Sequence, residues 1–594
     1  MIGLVAATVA GRQGCERLAA AWPGRTRTYQ GPVKEALAAA FGECEQVVAF
    51  LAAGAVVRLV APLLSAKRDD PGVVTVDEAH RHAVALLGGH AGGANALAAA
   101  VGEVLGAAPV VTTATDAVAI TALDTLPYPA QGPIAAVTRA VLDGERVPLY
   151  ADTPWPLPPL PLDHAPAPGT APPASTPAAV WVTDRVVRPA ADATAQETGT
   201  ADGTGAGAEN GTGAGAGTGR IVFVRPPSLV VGVGASRGVG EQEVVELVHA
   251  ALDGAGLARL SVAALATVDA KKDEPGIVGA AARLGVPLLT YPAQALAAVP
   301  VPNPSAAPLA AVGTPSVAEA AALLGAGPGG ELAVEKRKSA MATAAVARRR
   351  ARGRLAVVGL GPGARDLLTP RAAAELRRAS VVVGLDQYVA QIRDLLPPGT
   401  RVLESGLGAE EERARTAVAQ ARAGHAVALI GSGDAGVYAM ASPALAEAAD
   451  DIDVVGVPGV TAALAAAALL GAPLGHDHVS ISLSDLHTPW DVIERRVRAA
   501  AESDLVVTFY NPRSRGRDWQ LPKALSILAG HRAPDTPVGI VHAASRPDER
   551  TAISTLAAFD VTTVDMVTVV TVGNTATRVV AGRMVTPRGY RWQS

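Results

Sequence analysis

The chain has 594 residues, a formal net charge of −4, 49% hydrophobic residues and only 3% aromatic ones. One hydrophobic core does not organise that length, so three or more domains are expected, and the balanced charge argues against nucleic-acid partners, whose binders are strongly basic. Two cysteines, Cys15 and Cys44, exclude a disulfide framework and any four-cysteine zinc or iron–sulfur site.

The N-terminal "MIGLVAATVA" has no basic leader and reads as a strand and turn rather than a signal peptide. No long uncharged apolar window has membrane-type flanks, and the Ala-rich run 460–472 is too short to span a bilayer. The expectation is a cytoplasmic chain without membrane or nucleic-acid partners. Apolar runs such as "QVVAFLA" (46–52), "VVTVD" (73–77) and "APVVTTA" (108–114) alternate with longer Ala/Leu-periodic stretches, which predicts strands and helices in α/β order. Within this block "LLGGHAGGANALA" places His90 and Asn95 around a Gly-rich turn that enters a helix, and "VVTTATD" ends a strand with Thr113, Thr115 and Asp116.

The segment 153–219 then breaks the pattern. It is first Pro-rich and then Gly/Thr/Ala-rich, a composition that buries too little apolar surface to offset its ordering entropy. Residues 194–219 read as a flexible linker, with "PAAVWVTDRVV" as a lone strand before them. Strand-like runs resume at "SLVVGVGA" (228–235). The polar loop "DAKKDEPG" carries Lys271, either a solvated loop residue or a group for an acidic ligand. The stretch 334–354, "VEKRKSAMATAAVARRRARGR", reads as a last strand followed by a basic helix.

The last third opens on "LAVVGLGPG" (355–363), a strand running into glycines. A dinucleotide fingerprint would need G-x-G-x-x-G leading directly into a helix, whereas Pro362 follows the second glycine here and the helix comes only later, and a P-loop would need G-K-[ST], which is absent. The turn is instead followed by "ALIGSGDAGVYAMAS" (428–442), "SISLSDLHTPW" (480–490), "VVTFYNPRSRGR" (506–517), "MVTVVTVGNTATR" (566–578) and "GRMVTPRGY" (582–590). In this order the motifs resemble the tetrapyrrole methylases, class III S-adenosylmethionine-dependent methyltransferases, and most of all the precorrin-3B C17-methyltransferase subgroup.

The resemblance implies a two-lobed fold, S-adenosyl-L-methionine as cofactor and a homodimer through this region. It implies that Pro362, Ser432, Gly433, Asp434, Val437, Thr461, Ala462, Tyr510, His542 and Asn574 surround the cofactor. The alternative role for Asp434 is a helix N-cap. C17 methylation in the subgroup is accompanied by ring contraction, which calls for an acid/base. Asp485, His487 and Tyr510 are the candidates, with helix capping near Thr488 as the alternative for Asp485 and His487. Arg513 and Arg515 are expected to bind substrate carboxylates, since the planar guanidinium pairs with them bidentately. No metal site is expected.

The N-terminal motifs around His90 and Asp116, with "LVVGVGASRGV" (229–239) and "ALATVDAKKDEPGIVGAAARLGVPL" (264–288), resemble cobalt-precorrin-5A hydrolase. That resemblance implies opening of a δ-lactone with release of acetaldehyde. His90, Asp116 and Glu78 are candidate catalytic residues, with the Gly-rich turn offering N–H groups to an oxyanion, and Lys271 a candidate substrate contact. No G-x-S-x-G elbow is present.

The expected fold is therefore α/β multidomain. Two α/β hydrolase-family domains (1–150 and 227–350) flank a low-complexity linker (151–226), and a two-lobed class III tetrapyrrole methylase fold follows (351–594). The expected function is a bifunctional enzyme of corrin synthesis acting on precorrin or cobalt-precorrin substrates. Two alternatives remain open: an active methyltransferase with a non-catalytic tetrapyrrole-binding N-terminal half, and a non-enzymatic corrinoid carrier.

Overall fold

A computed structural model describes residues 1–65, 69–164, 168–173, 176–186, 220–448, 450–514 and 516–589. They fall into two compact units: Met1–Trp155, Leu160–Ala351 and Pro397–Gly399 in the first, Pro156–Pro159, Arg352–Leu396 and Thr400–Ser594 in the second.

The first unit opens with six strands: β1 (Ile2–Ala6), β2 (Thr26–Tyr29), β3 (Gln46–Phe50), β4 (Gly72–Val76), β5 (His82–Leu87) and β6 (Ala108–Val110). Their order is β2-β1-β3-β4-β5-β6. Helices cover both faces, so Val48 and Phe50 enter one core while Val47 and Ala49 enter the other. Burial on both sides is why this strand reads as an unbroken apolar run. The sheet is parallel through β4, but β5 runs antiparallel to β4 and β6 follows β5. That reversal decides which residues can share a site.

The middle region corrects one expectation. Residues 151–226 are not solely a linker: β7 (Ala130–Gln131), β8 (Pro148–Ala151), β9 (Asp163–His164), β10 (Ala178–Val182) and β11 (Arg220–Val224) form a sheet of order β7-β11-β10-β8-β9. The stretch that looked like a lone strand is its centre, buried along its whole length. Asp152 fixes it by accepting from Trp181 Nε1 (3.0 Å) and Thr183 Oγ1 (2.6 Å). Proline and glycine counts averaged over the segment hid these few β-branched and aromatic residues. The Gly/Thr/Ala run 194–219 lies outside the described residues.

A third sheet contains β12 (Leu229–Ala235), β13 (Val262–Val268), β14 (Leu288–Tyr291), β15 (Glu331–Lys338) and β16 (Ala342–Arg348), in the order β14-β13-β12-β16-β15. Here the expected basic helix after residue 338 is a strand. Pairing of β16 with both β12 and β15 overrides the helix preference of its four alanines. Gly232 lets the helix Val317–Ala326 lie against β12, since a Cβ there would sit 1.8 Å from the Ala318 carbonyl oxygen.

The second unit has two lobes. In the first, β17 (Arg354–Gly359), β18 (Val381–Leu385), β19 (Arg401–Ser405), β20 (Ala426–Gly431) and β21 (Asp453–Val457) form an all-parallel sheet of order β19-β18-β20-β17-β21. Short strands β22 (Gly471–Ala472), β28 (Arg578–Val580) and β29 (Arg583–Val585) make a separate three-stranded sheet. The second lobe is built on β23 (His478–Ser482), β24 (Val506–Tyr510), β25 (Pro537–His542), β26 (Arg550–Thr555) and β27 (Thr568–Val572), ordered β23-β24-β27-β25-β26. This is the α/β multidomain class. No helix among the described residues is long and apolar enough to cross a membrane.

Candidate functional sites

In the second unit, β17, β20 and β21 are parallel neighbours, so the loops after them meet at one carboxyl edge. Gly361 and Gly433 exchange backbone hydrogen bonds of 3.0 and 2.7 Å across that edge. The approach is possible only without side chains: a Cβ on Gly459 would lie 2.2 Å from the Gly433 carbonyl oxygen, and one on Gly359 would lie 2.7 Å from it. Gly433 itself has φ +68° and faces Thr461 with room to spare. Asp434 does not cap a helix, since the next one, Ala441–Glu447, has Met440 at its N-cap. Its Oδ1 accepts from Gly436 N (2.8 Å) and its Oδ2 from Gly459 N (3.0 Å), so the carboxylate ties two of the loops together. Val437 lies on the same loop and Ala462 begins the helix after Thr461.

Tyr510 ends β24, and its hydroxyl meets Thr461 Oγ1 (2.5 Å) and accepts from Ala463 N (2.9 Å). Burial raises its pKa above the ordinary tyrosine value. Tyr438 lies against it, ring centres 5.3 Å apart. Two residues not anticipated from the sequence bind the Pro362 loop from the second lobe. Arg546 Nε donates to the Pro362 carbonyl (2.9 Å), and Ser545 Oγ accepts from Ala364 N (3.0 Å). Their signal is backbone strain, with φ +49° at Ala543 and +61° at Ser545, which cannot be read from a sequence of non-glycine residues.

Registers place the other expected residues. β23, β24 and β25 share a direction, so Asp485, His487, Tyr510, Arg513 and His542 emerge at one edge. Asp485 accepts from Gln520 Nε2 (2.8 Å), and His487 is exposed. Neither caps the helix Trp490–Glu502, whose N-cap is Pro489. His542 lies between Asp548 (3.3 Å) and Asp565 (3.4 Å). Arg513 lines a cavity of about 410 Å³ with Ser514, Asp518 and Met566, and Arg515 lies outside the described residues. Asn574 is separated from the group. It follows β27, whose end pairs with the start of β24 and β25, and its side chain closes its own turn on Ala576 N and Thr577 Oγ1. A strand length therefore separates it from Tyr510 and His542, roughly 15 Å at about 3.3 Å per residue.

In the first unit, the loops after β5 and β6 converge. His90 Nε2 lies 3.0 Å from Thr115 Oγ1 and 3.2 Å from Asp116 Oδ2. Asn95 Nδ2 donates to Thr113 Oγ1 (2.9 Å) and Asp116 Oδ2 (3.0 Å), and Thr113 also donates to Asp116. The N–H groups of residues 93, 94 and 95 close the turn on the carbonyls of 90, 88 and 89, so these three are not open to an oxyanion. Glu78 does not join the cluster. It follows β4, antiparallel to β5, so it sits at the opposite edge and accepts from Thr8 Oγ1 (3.0 Å). Lys271 pairs with Glu274 (2.8 Å) in the third sheet's loops.

A two-lobed α/β unit with a glycine-walled cradle at a carboxyl edge, preceded by α/β domains holding an Asp–His pair, defines the class. The chain belongs to the tetrapyrrole (corrin/porphyrin) methylases, whose profile matches residues 354–560. Residues 35–116 and 229–347 match the profiles of the cobalamin synthesis G N-terminal and C-terminal segments, so the chain joins both kinds of module. It is 47% identical over 239 residues to a probable cobalt-factor III C(17)-methyltransferase of Salmonella typhimurium, covering 40% of this chain and 99% of that protein. It is 42% identical over 250 residues to a precorrin-3B C(17)-methyltransferase of Sinorhizobium sp, covering 40% and 97%. The crystal structure of the methyltransferase CobJ is similar at 39% identity and TM-score 0.38, covering 40% of this chain and all of that one.

Proposed function

We propose that the second unit methylates C17 of precorrin-3B or cobalt-factor III, with ring contraction, and that the first unit opens the δ-lactone of cobalt-precorrin-5A with acetaldehyde release. The observation that carries the methylase reading is the cradle of Gly359, Gly433 and Gly459 held by Asp434 beside Tyr510. It offers bare backbone and a small-residue slot, which fits S-adenosyl-L-methionine, a ligand without phosphate. When bound there, that molecule supplies an electrophilic methyl group. The chain's own part is positioning: Pro362, Ser432, Gly433, Thr461 and Ala462 wall the cofactor, and Tyr510 holds the Thr461 loop in place. Arg513 meets substrate carboxylates at the second lobe's edge. Of the acid/base candidates, Asp485 and His487 remain accessible, whereas the Tyr510 hydroxyl is committed to Thr461 and Ala463.

In the first unit, Asp116 orients His90 through Nε2. In the tautomer carrying its proton there, Nδ1 is left as the base that activates water on the lactone carbonyl. The chain is proposed to act in the cytoplasm as a homodimer through the methylase region.

Incubation with S-adenosylmethionine and either metal-free precorrin-3B or cobalt-factor III tests the methylase reading. The expected product is heavier by one methyl group; no transfer to either substrate would overturn it.

A further inference from the structure

The third sheet has its own cavity, about 470 Å³, at the carboxyl edge of β12 and β13 where the turn between β15 and β16 closes over it. Its lining includes Arg237, Lys271, Lys336 and Lys338 and no aspartate or glutamate. The rim is built rather than loose. Glu274 accepts from Gly238 N (2.6 Å) and from Lys271 Nζ (2.8 Å), clamping the Arg237 loop to the Lys271 loop. Those two contacts hold its carboxyl below the usual range, so the clamp stays charged at neutral pH. Gly276 fits against the same loop, since a Cβ there would lie 2.1 Å from the Val239 carbonyl oxygen. Lys336 Nζ is tied to the Asn303 carbonyl. Arg237 and Lys338 have no close ion pair among the described residues and stand exposed at the mouth, with Arg237 within electrostatic reach of Glu274. Val268 and Met341 give the interior an apolar wall.

The carboxylates nearby offset these charges only in part, since Glu274 is taken up by Lys271 and Gly238 and Glu243 by Ser339 Oγ (2.5 Å) and Met341 N (2.7 Å), and an anionic ligand offsets the rest. An apolar wall beneath a cationic rim suits a flat apolar body edged with carboxylates. The volume lies within the range of small-molecule sites, roughly 300–1,000 Å³, and takes one edge of a macrocycle rather than the whole. We propose that this cavity binds a carboxylated edge of a tetrapyrrole, with Arg237 and Lys338 pairing with its acetate or propionate arms and Val268 and Met341 facing the ring. This inference rests on the reading of the first unit as acting on tetrapyrroles. It places a substrate contact on a different sheet from His90.

Uroporphyrin III, a porphyrin with acetate and propionate arms on every ring, is a suitable probe. It is titrated calorimetrically into the full chain, wild type and R237E/K338E, beside S-adenosylmethionine. The expected result is loss of one porphyrin-binding event per chain, with S-adenosylmethionine affinity and melting temperature unchanged. An unchanged number and affinity of porphyrin sites would overturn the proposal. Should charge reversal impair folding, R237Q/K338Q decides, with an expected weakening of at least about tenfold for lost charged hydrogen bonds and unchanged affinity counting against the cavity. Acetaldehyde release separates the two readings. Loss of the porphyrin event in the variants, with no acetaldehyde released by wild type from cobalt-precorrin-5A, overturns the lactone assignment alone. A chain that releases it while the variants titrate like wild type overturns the cavity alone.

Discussion

Two residues, Tyr510 and Gly459, set the cradle's geometry by different means. Tyr510 acts through its hydroxyl, which gives Ala463 N–H its acceptor and Thr461 a partner. Tyr510→Phe leaves a buried donor unsatisfied, and the expected cost is ~1–3 kcal/mol of stability. S-adenosylmethionine affinity should fall about tenfold, equivalent to ~1.4 kcal/mol. Burial raises the folded-state pKa, so the phenol's contribution is fully present below its unfolded value of about 10 and is lost as pH climbs through the folded one. The deficit of the variant should therefore be flat from pH about 6 to 9; a deficit that titrates in that window would assign the effect to another group. Gly459 acts by having no side chain. A methyl group there would press on the Gly433 and Gly359 carbonyl oxygens at 2.2 and 2.7 Å. Gly459→Ala should cost about 1–3 kcal/mol in overpacking and abolish S-adenosylmethionine binding in calorimetry while the chain remains folded.

At the scale of elements, the direction of single strands sorts the candidates, and this was the least legible feature in the sequence. Apolar runs located the strands well: 46–52, 73–77 and 228–235 coincide with β3, β4 and β12 to within a residue or two. They carry no information on direction, because a strand and its reverse bury the same residues. Glu78 and His90 are near in sequence, and only the antiparallel β5 shows that they lie at opposite edges. Asn574 was misplaced for the same reason. Composition misled at two places, the Pro/Gly-rich segment that contains β10 and the alanine-rich β16, where sheet pairing outweighs local preference. The strand directions make a prediction. Asp116→Asn should remove most acetaldehyde release, since the imidazole loses its carboxylate partner, whereas Glu78→Gln should release it at the wild-type rate. Equal loss in both would place the chemistry at the other edge. The Thr8–Glu78 contact is an exposed one, so Glu78→Gln should also leave the melting temperature within about a degree, as surface changes usually do.

At the scale of the whole chain, two modules proposed to act on related substrates sit in one polypeptide but in separate compact units. Each unit has its own core: Leu229, Val244 and Leu265 pack in the first, Leu355, Val383 and Leu429 in the second. The residues of each site are also drawn from one unit. His90, Asn95 and Asp116 meet without help from the second, and Asp434, Gly459 and Tyr510 without help from the first. Mutations at sites with no shared partners generally act independently. Asp434→Ala removes the acceptor for two backbone N–H groups and loosens the cradle. It should abolish methyl transfer and leave acetaldehyde release at the wild-type rate. His90→Ala should do the reverse, with both variants retaining wild-type far-ultraviolet circular dichroism. The double variant should then lose both activities and nothing more. If Asp434→Ala also slows lactone opening in a purified system supplied with cobalt-precorrin-5A, the two units are energetically coupled, and the fusion serves more than co-expression of two enzymes.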